Sequence, residues 1–553
     1  MLKDSYIHSV LEAKRRISKF KMLRNPLYRY GREDGRVPAH LNFGKEIYDN
    51  MVKNKDVVAM INADTEEQIS YGEFAQMSAG IALSLTRIGV KKGEVVCICC
   101  EKNIEYLPTV VGIMCAGATF SPMDPTYGTF PLLHRLKIVR PRVMFCSLLA
   151  YQTHRATFEE VGTIEYYVIY DDEEADGAIL FKDFLTETTS FEDFQPVPVN
   201  GWEDVAFVVF TSGTTGLPKG APVTHLAFLL NSQDVVPDEF SLSSIYNSRE
   251  FFYTYGLMYG LAAIRVAATL VYNPSGGEKA MLEAIQKYKI KILQVTPMII
   301  AELIKSAILE NYDVSSVEYI VSSSTYLREE AVNDIRKKLP SLVSLVQLYG
   351  MSEGGSVCHN MNCSKVSKPG SSGMPSYGFV IKVVDLKTRA PLGPNQLGEI
   401  CIKGPSVLKA YLNNVNPDCK DEEGFQKTGD VGYYDDDGHF YIINRIKELI
   451  KFNDINVVPA EFEALLLQHP SVREAGVVGK PDPKHGEVPV AFVVLQPGCT
   501  ATEEELIKHL DSRVTYRMRL AGGVRFIDRL PRGAGEKLDR SALVQRLLNE
   551  DTN

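Results

Sequence analysis

The chain of 553 residues carries 60 Lys and Arg against 69 Asp and Glu, a formal charge of −9, with 45% hydrophobic and 23% charged residues. Such a length exceeds one compact domain and predicts three or four units of roughly 100–200 residues, each with an ordinary globular core. The acidic balance argues against nucleic acid as a general partner, because neutralising phosphates takes a surplus of cations.

No apolar run reaches a membrane-spanning length, so no transmembrane segment is expected. The first 36 residues hold ten Lys or Arg against four Asp or Glu. They are read as a basic extension over residues 1–40, solvated in the simpler account, with peripheral membrane contact through residues 1–36 as the alternative. The opening lacks a signal-peptide pattern and the ending "NEDTN" is not a peroxisomal address, so a cytoplasmic location is expected. The ten cysteines have neither disulfide-like nor zinc-like spacing and are read as reduced thiols.

From about residue 56 short apolar runs alternate with segments of helical period. "GEVVCICC", "PRVMFCS" and "EYYVIYD" read as strands and "NIEYLPTVVGIMCAGA" as a helix; "KILQVTP", "VEYIVSSS" and "VSLVQLYG" follow as strands, with "REEAVNDIRKKL" a helix between. This βαβ alternation predicts an α/β fold with two doubly wound subdomains. Beyond residue 370, "FVIKVVDL", "LGEICIKG" and "GHFYIINR" with their Gly, Pro and Asp turns predict an antiparallel, barrel-like subdomain. After residue 443 a small α+β unit begins, with "PAEFEALLLQHP" as a helix. The expected division is 1–40, 41–443 and 444–553.

The loop "TSGTTGLPKG" follows a buried apolar run. It misses the Walker pattern, because Pro218 and Gly220 stand where glycine and a metal-binding hydroxyl belong. Backbone N–H groups freed by Gly213 and Gly216, the hydroxyls of Thr211, Ser212, Thr214 and Thr215, and the Lys219 ammonium still make a fitting cradle for an anion. In "LYGMSEGGS", Tyr349 offers a ring for a base and Glu353 an oxygen ligand of the kind Mg²⁺ shares with phosphates. "DDDG" at 435–438 lacks the calcium-loop spacing and is read as a hairpin turn, whereas Asp430 in "TGD" has the chemistry to accept two ribose hydroxyls. Lys537 in "PRGAGEK" is a solvated loop lysine unless a site elsewhere recruits it.

Together, "TSGTTGLPKG", "YGMSE", "TGD" with "NRIKELIK", and "PRGAGEK" resemble the core motifs of the adenylate-forming superfamily of acyl-CoA synthetases, 4-coumarate-CoA ligases and beetle luciferases. The resemblance runs from about residue 40 to the end. It implies ATP, Mg²⁺ and CoA as cofactors, a small carboxylic acid as substrate, and an acyl-adenylate intermediate with release of AMP and pyrophosphate. It further implies that Thr211, Ser212, Gly213, Thr214, Thr215, Gly216 and Lys219 hold the β- and γ-phosphates, that Gln347, Tyr349, Gly350 and Ser352 surround the nucleotide, and that Glu353 binds the metal. Asp430 would take the ribose with Arg445 close by, Lys537 would bridge the acyl carboxylate and α-phosphate, and Lys451 would serve thioester formation after the C-terminal domain rotates. Tyr253, Thr254, Ser323 and Ser324 would line the acyl pocket.

Some positions depart from the family pattern. The hinge position is Asn444, and Asp454 and Glu536 stand where glycine is usual, the first adding a negative charge beside the expected CoA channel. Ser, Thr and Tyr make the acyl pocket narrower or more polar than a luciferase's, so light emission is not expected. The leading expectation is an acid–CoA ligase; the alternatives are an adenylating enzyme with another acceptor and a non-catalytic nucleotide- or acyl-binding protein.

Overall fold

A computed structural model of the chain describes residues 25–31, 42–186, 190–211, 218–323, 327, 329–359, 368, 370–414, 419–452, 455–511, 520–533 and 537–550. Most of the basic extension, the loop interior 212–217, Ser324, Asp454 and Glu536 lie outside the described residues.

Strict period-2 burial builds the first sheet. In Val95–Cys99 the side chains of Val96 and Ile98 join one core and those of Cys97 and Cys99 the other, so the strand is buried on both faces, as parallel sheets require. The thiols there act as small apolar side chains. Around this strand lie, in order, Lys219–Thr224, Val205–Thr211, Thr119–Met123, Val95–Cys99, Val143–Cys146, Tyr166–Ile169 and Ile179–Leu180. All neighbours are parallel except the first pair, a hairpin in which Lys219 faces Thr211.

The second sheet repeats the plan with Ser344–Gln347, Tyr319–Ser322, Ile292–Val295, Ser244–Asn247, Thr269–Tyr272, Val58–Asn62 and Gln68–Ser70. Only its last pair is antiparallel. The helices Phe43–Lys53, Tyr71–Arg87, Tyr106–Cys115, His225–Val235 and Thr254–Arg265 lie between the two sheets, and one core takes side chains from both, among them Phe120, Phe207, Ile245 and Leu270. Separate cores cover the outer faces. The two doubly wound units are thus stacked through a shared helical layer.

The antiparallel texture beyond residue 370 becomes a five-stranded sheet, Arg29–Tyr30, Val380–Val384, Gly398–Lys403, Gln426–Tyr434 and Phe440–Arg445, beside a three-stranded one, Tyr349–Met351, Gly355–His359 and Met374–Pro375. Residues 25–31 are therefore not a solvated extension. They supply an edge strand, with the Tyr28 ring edge-on to Phe425 at 5.4 Å and its hydroxyl donating to Glu423 at 2.7 Å. The "DDDG" segment is a turn, with the Gly438 N–H on the Asp435 carbonyl. A last unit holds Ile450–Phe452, Ile455–Val457, Val472–Asp482, Gly486–Leu495 and Val524–Phe526 with three helices. Asn444 sits within the strand Phe440–Arg445, opposite Val431. Among the described residues no helix is long and apolar enough to cross a membrane.

The helical layer depends on close approach. A Cβ at Gly112 would meet Ile81 Cβ at 2.7 Å and the Ser78 carbonyl oxygen at 2.8 Å, and the Ser78 hydroxyl donates to the Pro108 carbonyl across the same crossing. Gly112→Ala gains about 1 kcal/mol of helix propensity but forces these helices apart at a cost of about 1–3 kcal/mol. A lowered urea midpoint is expected, and an unchanged one would show that the layer opens at little cost.

Candidate active site

The site begins at an irregularity in the antiparallel sheet. Lys427 and Val431, four residues apart, face Cys401 and Glu399, two apart, so the chain bulges at Thr428–Asp430. Gly429 takes φ +72°, which a side chain would disfavour, and its N–H is held by Glu399 at 3.0 Å. Thr428 donates to the Ile400 carbonyl at 2.7 Å and accepts from the Asp430 N–H at 3.0 Å. The bulge turns the Asp430 carboxylate into the protein interior. There it accepts from the Tyr349 hydroxyl at 2.7 Å and pairs with Arg445 Nε at 2.8 Å, its neighbour across the next strand pair. Burial lifts the Asp430 carboxyl above its usual range, against the pull of Arg445, the Tyr349 bond and Lys537. For Arg445 burial works against the charge, yet Asp430, Tyr349 and Glu353 keep its pKa raised.

Tyr349 opens the tight hairpin Tyr349–Met351/Gly355–His359, where a Cβ at Gly350 would strike the Gly355 carbonyl at 2.6 Å. Gln347 is buried at the end of the strand before it, and Ser352 and Glu353 occupy the turn. The Glu353 carboxylate accepts from the Tyr411 hydroxyl at 2.7 Å, and its carbonyl accepts from the Leu408 N–H. Tyr411 in turn lies beneath Lys219, whose Nζ is 5.5 Å from the ring centroid. One tyrosine therefore links the Lys219 end of the Ser/Thr/Gly loop to the metal candidate. Among the described residues no three His, Cys, Asp or Glu cluster as a metal site. A cation at Glu353 fits only if phosphates supply most of its oxygen ligands, which is the usual way Mg²⁺ is held.

Lys537 reaches this centre from the last unit. The Gly533 N–H donates to its carbonyl at 2.8 Å, and Arg532 bridges to Leu538, closing the turn. Behind it Arg540 binds Glu448 at 3.0 Å and the Val477 carbonyl at 2.7 Å. Lys537 is exposed as a residue, but its ammonium lies within electrostatic reach of Arg445, Asp430, Glu448 and Arg249; crowding by the surrounding protein first, then Arg445, lowers its pKa. Lys451, by contrast, is exposed on the strand Ile450–Phe452, its N–H on Glu487 at 2.7 Å.

Of the acyl-pocket candidates, Tyr253 caps the helix Thr254–Arg265 and donates to Asp124 at 3.2 Å, while Thr254 starts that helix. Ser323 donates to the Leu348 carbonyl at 3.1 Å, and Ser324 is outside the described residues. Sequence reasoning missed Tyr411 and Arg249. Tyr411 follows the noted strand "LGEICIKG" but lies 58 residues from Glu353; its only signal was an aromatic residue beyond a glycine turn.

The Asp430 centre generates a pH-dependent expectation. Because burial lifts this carboxyl above 3.8, the folded state keeps its proton longer than the unfolded chain, so its contribution favours folding in acid and declines as pH rises through the lifted value. Tyr349→Phe removes a donor that serves the charged form, at about 1.5–3 kcal/mol. The unfolding free-energy loss should be larger at pH 7 than at pH 4; a pH-independent loss would contradict this.

Two family models match the chain: that of the AMP-binding enzymes over residues 47–412, and that of their C-terminal domain over residues 461–537. Luciferin 4-monooxygenase of Photuris pensylvanica is 33% identical over 535 residues, covering 93% of this chain and 97% of that protein. 4-Coumarate–CoA ligase 1 of Petroselinum crispum is 32% identical, covering 93% and 96%. In fold, the chain resembles the anthranilate CoA ligase AuaEII in complex with anthranoyl-AMP, with TM-score 0.83, 22% identity, and coverage of 94% and 99%. With matches this long to both parts, the chain belongs to the AMP-binding enzymes of the adenylate-forming superfamily.

Proposed function

We propose that the chain is an ATP-dependent carboxylic acid–CoA ligase. In the first half-reaction a carboxylate oxygen of the acid bonds to the α-phosphorus of ATP and the bond to pyrophosphate breaks. In the second, the CoA thiolate bonds to the acyl carbon and AMP leaves with the electron pair of the mixed anhydride. The observation that carries the reading is the buried Asp430–Arg445–Tyr349 cluster, with Lys537 of the last unit within electrostatic reach of it.

The parts suit the chemistry. Two anions must be held in line while charge builds on the phosphate, which asks for fixed cations in a water-poor site. Lys219 and the hydroxyl loop would hold the β- and γ-phosphates, and Asp430 would accept the ribose hydroxyls beside Arg445. Tyr349 would lie against the adenine, flanked by Gln347, Gly350 and Ser352. Glu353, oriented by Tyr411, would hold Mg²⁺, which neutralises phosphate charge when bound. Lys537 would bridge the acid and the α-phosphate. Lys451, exposed on another face, would act after the last unit turns about Asn444, as gating by domain rotation requires.

ATP–pyrophosphate exchange with a panel of acids, and AMP release with and without CoA, tests this. Lys537→Ala should lower exchange by about 10²–10³, whereas Lys451→Ala should spare exchange and slow thioester formation. Exchange that survives Lys537→Ala would overturn the assignment, and exchange without CoA consumption would point to another acceptor.

The protonation of Lys537 adds a second check. Its pKa is lowered from the usual 10.5, so kcat/KM for exchange should fall on the alkaline side below that value as the ammonium is lost. Lys537→Arg, charged throughout, should remove this limb even if it is slower. An unchanged alkaline limb in the arginine variant would assign the titration to a different group.

A further inference from the structure

Among the described residues three arginines are at most 9% exposed: Arg135, Arg249 and Arg265. Arg265 pairs with Asp238 at 2.8 Å and donates to the Val236 carbonyl, and Arg135 donates to the Pro131 carbonyl at 2.7 Å. Arg249 has no such partner for its guanidinium among the described residues; it rests on the face of Tyr253, 5.1 Å from the ring centroid. Its backbone N–H is fixed by Asn247 Oδ1 at 3.0 Å, so the residue is held at the start of the segment leading to the helix Thr254–Arg265. The adjacent carboxylate, Glu250, lies 3.6 Å from the ammonium of Lys102, whose side chain is only 2% exposed. Arg249 lies within electrostatic reach of both Lys102 and Lys537 as a like charge, and Glu250 is already shared with Lys102. A guanidinium on a largely buried residue, stacked on a ring and with no carboxylate partner among the described residues, is a seat for an anion that arrives with a ligand.

The floor of the same crevice is polar. Asn247, Gln294, Thr296 and Ser322 lie at the carboxyl ends of the parallel strands of the second sheet, where open α/β sheets place their ligands, and each is at most 4% exposed. The hydroxyls of Ser248, Thr296 and Ser322 are buried without a hydrogen-bond partner. A long aliphatic acid would bury methylenes against this surface and leave Arg249 unpaired, losing the desolvation cost of both.

We propose that the acid activated here carries a second anionic group, as a short dicarboxylic acid does, and that Arg249 holds this distal carboxylate while the reacting one faces Lys537. The inference rests on the acid-activating function proposed above. A planar fork of donors against a carboxylate gives bidentate geometry, which lysine cannot reproduce. Discrimination comes from the charge: a monocarboxylic acid leaves the guanidinium desolvated and unpaired.

The test is ATP–pyrophosphate exchange by the full chain with succinate, glutarate, butyrate, hexanoate and 4-coumarate. Succinate or glutarate should exceed butyrate and hexanoate in kcat/KM by about 10- to 100-fold, the range expected when a charged site loses its partner. Arg249→Leu should collapse that ratio mainly through KM for the diacid, and Arg249→Lys should recover part of it. A loss of folding or of general positioning would instead lower all acids together and leave the ratio unchanged, which would overturn the role given to Arg249. Exchange that favours a monocarboxylic acid in the unaltered protein would overturn the diacid assignment while leaving acid activation standing. No exchange with any of the five acids would overturn both.

Discussion

A carboxylate buried as deeply as that of Asp430 is tolerable only while its charge is answered, and the surrounding architecture is arranged around that constraint. The answer comes from two places. Arg445 lies across the last strand pair of the five-stranded sheet, and Tyr349 lies on the neighbouring three-stranded one, so a single carboxylate holds two sheets in register with each other. The bulge at Thr428–Asp430, with Gly429 in the left-handed region, is what aims the side chain inward. Without it the alternation of the strand would direct that position differently, and the charge would meet neither partner.

Around this fixed point the site divides into a half that belongs to the large unit and a half that arrives from outside it. Lys219, Tyr411 and Glu353 form a short chain of contacts between the first sheet and the hairpin after the second, so Lys219 at the end of the Ser/Thr/Gly loop and the candidate metal ligand share one tyrosine. Hydrogen bonding to a second group is the usual way a ligating carboxylate is fixed in orientation. Lys537 comes instead from a glycine-rich turn of the C-terminal unit, braced by Arg540 against Glu448. A site assembled from two units is complete only when they are together, which separates binding from commitment.

Much of the architecture was legible because burial on both faces of a parallel strand leaves a local mark. "VVCIC" and "KILQV" are continuous apolar runs, and the helices between them repeat with a period near 3.6. The edge strand Arg29–Tyr30 was not legible. Its two residues gain their structure from pairing with Val380 and Ile381, some 350 positions away, and a basic context masked the aromatic Tyr28 that anchors it. The return strand Lys219–Thr224 was hidden for a related reason: glycine and proline in "KGAPV" suggest a loop, yet proline is tolerated on an edge strand, and this strand is the edge of its sheet. Motifs carried most of the site because their spacing is local. Tyr411 and Arg249 were missed since their surroundings depend on contacts the local sequence does not announce, Glu353 in one case and the face of Tyr253 in the other.

The electrostatics of Lys537 connect closure to ligand binding. Lys537 is an exposed residue whose ammonium stands within electrostatic reach of two further cations, Arg445 and Arg249, with Asp430 and Glu448 as the carboxylates that oppose them. Asp430 is already committed to Arg445 and Tyr349, so the lysine gains only part of its attraction. Bringing this cation inward without reactants is therefore opposed both by desolvation and by like charge. Phosphate and carboxylate groups in the site reverse the sign of that balance. A ligand shifts a conformational equilibrium only by its differential interaction with the two states, and here the differential is the anionic charge itself. In the proposed reaction, departure of pyrophosphate would take negative charge with it and make the inward position of Lys537 less favoured, which would give the last unit an electrostatic reason to move between the two half-reactions.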